Sequence, residues 1–407
     1  MHMRHLFIFE RYFATGSQVV RERYIGRALP LRRMDGIFSD TMRECGTQEP
    51  VHEDNRWHMG EVKLSKEDYL REKIAPISPR DITGVNDLLR RLGGCSFQGR
   101  ALSRCLDVLE NMVRDEECII VMTLAGAMVP GGMEELVTQL IEHGIINALV
   151  STGANISHSM VNHADPENQG HYIGAVNVND VELYEHHINR VYDTFLPEEG
   201  YHEGEMLLEA ILRRYFSEHD IDPKQPWMVR PQELFRLTGI ELNRMGKRGI
   251  LAAAARHDVP IYCGATSDSE FALNLVKYNM RNDWRITIDE LADVKVFAHS
   301  LLKKERCGTL IVGGGVPRNW AQQAWPLLEM TGATERHGYD RTVRIYTDSP
   351  SWGGLSGCTI SESVSWGKYS ENAIAAEVQC DATIALPLLV TGLFERLGIN
   401  TAMGSKS

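Results

Sequence analysis

The sequence predicts an α/β fold: a Rossmann-like, doubly wound and mainly parallel sheet, with a helical insertion and an irregular N-terminal arm. Three observations carry this. From Cys118 onward, short apolar runs of strand length alternate with longer segments of helical period. Glycine clusters follow several of these runs, as at Gly126 to Gly132, Gly313 to Gly315 and Gly353 to Gly357. Before residue 61 neither rhythm is present. The predicted organisation is therefore an arm over 1–60 and a single α/β domain over 61–407, with the insertion at about 165–258.

The arm is rich in arginine between Arg21 and Arg33 and polar over 44–60, with no catalytic spacing. A short helix over 66–73 is predicted to end at Ala75-Pro76 and the Ser78-Pro79 turn. Helices follow over 87–92 and 99–114, the second carrying Leu102, Leu106, Leu109 and Val113 at helical spacing. The run 119–124 is a buried strand and 126–132 a loop. Met133, Leu136, Val137, Leu140 and Ile141 then mark one face of a helix over 133–143. Strand 145–150 leads into Ser151-Thr152-Gly153-Ala154-Asn155. This repeat is the unit of a parallel sheet.

The insertion reads as four helices, over 181–194, 204–217, 231–243 and 246–257. The β/α rhythm resumes with strand 259–263 and helices 268–279 and 288–303. Strand 309–312, helix 319–329, strands 343–347 and 377–380, and a closing helix over 383–397 complete the chain.

The chain of 407 residues is 43% hydrophobic and 24% charged, an ordinary globular composition. Its net charge of −12 argues against nucleic acid and toward cationic small molecules. The apolar run from Cys118 to Pro130 is too short to span a bilayer, so no membrane segment is expected. Eight cysteines without a C-x-x-C pair read as reduced thiols of a cytoplasmic protein. The 15 histidines include no H-E-x-x-H, and no metal is expected.

In an open parallel sheet, ligands bind beyond the carboxyl ends of the strands. Gly313-Gly314-Gly315 follows a strand there and reads either as a tight β–α turn or as a loop admitting a pyrophosphate. Asp268 and Asp381 each lie just past a strand, as helix N-caps or as acceptors for ribose hydroxyls. The segment Glu362-Ser363-Val364-Ser365-Trp366-Gly367-Lys368 offers the strongest chemistry. A lysine beside a tryptophan is either an exposed strand-end residue or a buried, low-pKa amine that attacks imines. The indole can hold a cation, and Glu362 can anchor an ammonium or relay protons.

That segment, with Asp381-Ala382 after it, resembles the catalytic segment of the deoxyhypusine synthase family, which includes homospermidine synthases. The resemblance covers roughly 118–395. It implies NAD as cofactor, held by Thr152, Gly153, Ala154, Asp268, Gly313, Gly314, Gly315, Ser356, Asp381 and Ala382. It implies Lys368, Glu362 and Trp366 as catalytic residues, with Asn319, Leu355, Asn274, Glu362 and Trp366 about the substrate. A homotetramer with sites at subunit contacts is also implied. The departures fall on the donor side: Ser157-His158 replaces a Glu-Glu pair, Leu273 an Asp, and Asn319 a His. Trp352-Gly353-Gly354-Leu355 replaces Asp-Gly-Ser-Asp.

The implied reaction moves an aminoalkyl group between amines through an imine on Lys368. Small diamines or guanidino amines (putrescine, spermidine, agmatine) are the leading substrates, giving homospermidine-like products. The alternatives are deoxyhypusine synthesis on a protein lysine, or an NAD-binding regulatory protein without catalysis.

Overall fold

The computed structural model describes residues 8–15, 18–25, 65–164 and 170–399. The chain divides into two units, Met1–Ser65 and Lys66–Ser407. Within the first, Ile8–Thr15 and Gln18–Ile25 pair as an antiparallel hairpin. This corrects the irregular reading for those residues; the remainder of the 1–60 arm lies outside the described residues.

The second unit is built on a six-stranded sheet. Its strands are β1 (Cys118–Leu124), β2 (Ala148–Ser151), β3 (Ile261–Cys263), β4 (Arg306–Val312), β5 (Tyr339–Tyr346) and β6 (Tyr369–Gln379). They lie in the order β3-β2-β1-β4-β5-β6, and every neighbouring pair is parallel. This is the doubly wound order, with strand order reversing on either side of β1. Both faces of the sheet are covered, so β1 is buried at every residue. Its side chains alternate: Ile120, Met122 and Leu124 enter the larger core, Ile119 and Val121 the smaller one.

The helices that cover the sheet are α1 (Val85–Leu92), α2 (Phe97–Val113), α3 (Glu134–Glu142), α4 (Gly153–Ala164), α5 (Glu198–Glu218), α6 (Pro231–Arg244) and α7 (Ile250–Arg256). They continue as α8 (Glu270–Asn282), α9 (Glu290–Ser300), α10 (Gly315–Gln322), α11 (Ala324–Met330), α12 (Ile360–Val364) and α13 (Ala382–Leu397). The core periodicity read from sequence is present in α2, where Leu102, Leu106 and Leu109 are all buried.

Several stretches differ from expectation. The predicted helix 181–194 is a short helix, Asp180–Glu185, followed by strands Ile188–Val191 and Thr194–Pro197. These pair with each other and, through the second, with Tyr172–Ile173. His187 and Tyr192 take left-handed backbone, which ends the helix and turns the hairpin. The 319–329 helix is two, α10 and α11, meeting at Gln323. Finally, β6 extends back to Tyr369, so Lys368 immediately precedes an eleven-residue strand.

That strand start is fixed by a close backbone approach. The Tyr339 amide donates to the Lys368 carbonyl at 3.0 Å. Gly338 adopts φ 68°, and a Cβ there would lie 2.3 to 2.5 Å from the Tyr369 backbone. We expect Gly338→Ala to cost about 2–4 kcal/mol, from left-handed strain plus overlap with backbone that cannot yield. Urea unfolding measures this, and a loss under 0.5 kcal/mol would refute the close approach.

Candidate active site

Two cavities border the loop that follows β5. The first, about 240 Å³, lies where β1, β4, β5 and β6 end, and is lined by Gly313, Gly314, Ser356, Asp381 and Ala382 among others. It sits at the reversal of strand order, between the loops that follow β1 and β4. Gly313 and Gly315 have positive φ, and the turn is tight enough that a Cβ on Gly314 would meet Ser356 Cα at 2.7 Å. Helix α10 leaves this turn with no side chain capping it, so its first-turn amides are available to an anion.

Asp381 has a structural duty here. It caps α13, with the Thr383 amide donating to Oδ1 at 2.7 Å. The Thr383 hydroxyl donates to the same oxygen at 2.5 Å. Its Oδ2 has no hydrogen bond among the described residues. Asp268, by contrast, is exposed and caps nothing; Ser269 caps α8 instead. Thr152, Gly153 and Ala154 open α4 at the end of β2, and Gly153 packs against Ser269 and the Asp268 carbonyl. These four residues form a neighbouring group past β2 and β3. The carboxylates, glycine turn and uncapped helix start suit the ribose hydroxyls and pyrophosphate of a dinucleotide.

The second cavity, about 320 Å³, holds Lys368, Glu362, Trp366, Asn319, Leu355 and Cys358. Lys368 is only 8% exposed. Its Nζ donates to Asn319 Oδ1 at 2.8 Å and lies 5.6 Å from the centre of the Trp366 ring. Burial lowers its pKa, and the nearby Arg318 charge lowers it further; the Cys358 thiol and Glu362 act the other way. Trp366 and Glu362 are exposed, at the cavity's outer side. Glu362 lies in the first turn of α12, which Thr359 caps. Of the lysine readings, the buried amine is the one present.

Asn274 is buried on α8 and Leu273 is exposed there; neither lines the cavity around Lys368. The loop that walls both cavities depends on two arginines that sequence reading passed over. Arg318 and Arg344, at 2% and 1% exposure, both donate to the Cys358 carbonyl, at 2.7 and 2.9 Å. Arg344 also donates to the Ser356 carbonyl and to Glu377. An arginine within a strand or helix pattern gives no sign that it is buried. Among the described residues there is no cluster of three or more potential metal ligands, and no helix long and apolar enough to cross a membrane.

The deoxyhypusine synthase family model matches residues 87–393. A Methanosarcina mazei protein named "Probable deoxyhypusine synthase 2" is 36% identical, covering 79% of this chain and 89% of its own. An Archaeoglobus fulgidus "Probable deoxyhypusine synthase 1" is also 36% identical, over 77% and 95%. A Chlorobaculum parvum "Deoxyhypusine synthase-like protein" is 30% identical over 81% and 92%. A solved Entamoeba histolytica chain, provisionally assigned as a deoxyhypusine synthase, shares the fold with TM-score 0.53 at 18% identity, covering 79% and 97%. The chain belongs to the deoxyhypusine synthase family. That family consists of NAD-dependent aminobutyl transferases, and a transferase of this type is what the chain is.

The double position of Asp381 can be separated by substitution. Asp381→Asn keeps the capping oxygen and removes the charge, so the melting temperature should hold within a degree or two. NAD affinity, measured by fluorescence titration, should fall about tenfold or more if the carboxylate accepts from ribose. Unchanged affinity would leave Asp381 a helix cap alone.

Proposed function

We propose that this chain transfers an aminoalkyl group between small amines through an imine formed on Lys368. The observation that carries the reading is the state of the Lys368 amine: buried, hydrogen-bonded to a neutral amide oxygen, and shifted toward its unprotonated form. Residues 61–407 form the catalytic domain in this proposal, and 1–60 an appended arm of a cytoplasmic enzyme.

NAD would be held by the Gly313–Gly315 turn, Ser356, Asp381 and Ala382, with Thr152, Gly153, Ala154 and Asp268 beside them. When bound it would supply a hydride acceptor for the carbon next to an amine nitrogen, and return that hydride at the end. The remaining chemistry belongs to the protein. Unprotonated Lys368 attacks the imine carbon and expels the first amine, and the second amine displaces Lys368 in turn. Asn319 Oδ1 accepts from Nζ and so aims its lone pair. Glu362 holds the substrate ammonium or takes the proton released as Nζ adds. The Trp366 face packs on the alkyl chain and its cation.

The acceptor follows from the charges. Leu355 lines the cavity where the family carries an Asp, and Glu362 is its one carboxylate. Each desolvated ammonium needs a partner, so one carboxylate suits one end of a short diamine or guanidino amine. The names of the archaeal relatives favour a second reading, with a protein lysine as acceptor. Asn274 does not line this cavity, so the substrate role that the resemblance implies for it would need the subunit contacts of a homotetramer.

Lys368→Ala should lower turnover by about 10³-fold or more while NAD still binds. Borohydride added during turnover of the wild type should trap substrate carbon on Lys368, detected by peptide mass spectrometry. A fully active alanine variant would refute the covalent step. For the acceptor, the protein is incubated with NAD, labelled spermidine, and putrescine or agmatine, with and without a protein acceptor. New labelled free polyamine is expected. Label found only on the protein acceptor's lysine would reverse the assignment.

A further inference from the structure

A third cavity, about 640 Å³, lies away from both clefts described above. It opens where the chain enters β3, at Asp258 to Tyr262, and shares no lining residue with the cofactor and lysine cavities. β3 is the edge strand of the sheet, paired only with β2. Helices α6 and α9 supply the flanking walls.

The lining has two characters. Its floor is apolar, with Phe235, Leu251, Val259 and Ile261. Its rim is cationic: Arg230, Arg236, Lys295 and Lys303 face the single carboxylate of Asp258. Arg230 is partly satisfied by Asp293, 3.6 Å away. Arg236, Lys295 and Lys303 pair with no carboxylate among the described residues. A chain of net charge −12 would be expected to neutralise such a cluster readily, yet here it does not.

A buried polar group marks the same cavity independently. Tyr262 is 2% exposed, its ring stacked on Trp320 at 5.5 Å and edge-on to Phe297 at 5.1 Å. Its residue lines the cavity, and its hydroxyl makes no hydrogen bond among the described residues. The hydroxyl is not among the fully enclosed polar atoms, so it meets water from the cavity side and is open to a ligand.

We propose that this cavity is a second binding site, for a small organic anion that joins a phosphate-like group to an apolar or planar body. The rim cations take the charged group, the Tyr262 hydroxyl supplies a hydrogen bond, and the floor covers the body. Fixed cations alone would attract any anion; the floor makes the site selective for one with an apolar part.

The test is titration calorimetry on the full chain, where a Lys295→Glu/Lys303→Glu double variant separates binding at this pocket from any in the cofactor cleft. The probes are phenyl phosphate and inorganic phosphate. Phenyl phosphate should bind one site per chain, at least tenfold more tightly than inorganic phosphate. Lys295→Glu/Lys303→Glu should weaken it at least tenfold with the melting temperature unchanged, and Tyr262→Phe should weaken it about threefold to tenfold. Lys368→Ala should leave it unaltered, so this result stands or falls separately from the transferase reading. The proposal is overturned if phenyl phosphate fails to bind at millimolar concentration. It is equally overturned if the two anions bind alike, or if the double variant binds as well as the wild type.

Discussion

A primary amine attacks an imine only in its unprotonated form, and a lysine in water is almost wholly protonated at neutral pH. The structure around Lys368 is arranged against that protonation. Its amine is taken from water, a buried guanidinium stands near it, and the partner offered to Nζ is the neutral oxygen of Asn319. An aspartate at 319 would have stabilised the charged form and removed the nucleophile. Glu362 is close enough to favour the charge slightly, yet lies exposed, where water weakens its influence. In the proposed reaction the segment would separate two needs, an anion for the substrate and an uncharged amine for the attack.

Holding that amine in place requires a rigid wall, and the wall is made by arginines. Arg318 and Arg344 converge on one carbonyl, that of Cys358, and Arg344 grips the Ser356 carbonyl as well. Between them they have one carboxylate, Glu377. Burying two guanidiniums with so little compensation is costly, and such pairs add little to stability. What they provide is position. The same loop carries Ser356 on the cofactor side and Leu355 and Cys358 on the lysine side, so one anchoring fixes both cavities. Arg318 also contributes its charge to the lysine.

The sheet was legible because its signal is redundant. β1, β2 and β4 are mainly apolar, glycine turns punctuate them, and parallel pairing then leaves few topologies. The excursion at 188–197 was not legible, because Ile188, Val191 and Leu196 fit a helical face as well as a strand. Only the left-handed residues His187 and Tyr192 decide it, and neither type announces that conformation. Within the site, Lys368, Glu362 and Trp366 were found from a motif. The burial of Arg318 and Arg344 was not, since it depends on carbonyls far along the chain. Asp381 shows a different limit: cap and cofactor ligand call for the same residue at the same place, and only its second oxygen separates the roles.

The distribution of charge links these features. A net charge of −12 favours cations near the chain without selecting among them. Selection has to come where water is removed, and there the cavity offers Glu362, the Trp366 face and the neutral Asn319 and Leu355. In the proposed site an ammonium that met Leu355 would lose hydration without gaining a partner, so a further charge on the amine would lower its affinity. The basic pocket at the entry to β3 follows the opposite rule, with cations that a polyamine avoids and an anion seeks. The fold gives the two surfaces separate places: the proposed chemistry beside the loop between β5 and β6, and the proposed anion pocket at the start of the edge strand. Opposite charges can then serve one protein without cancelling.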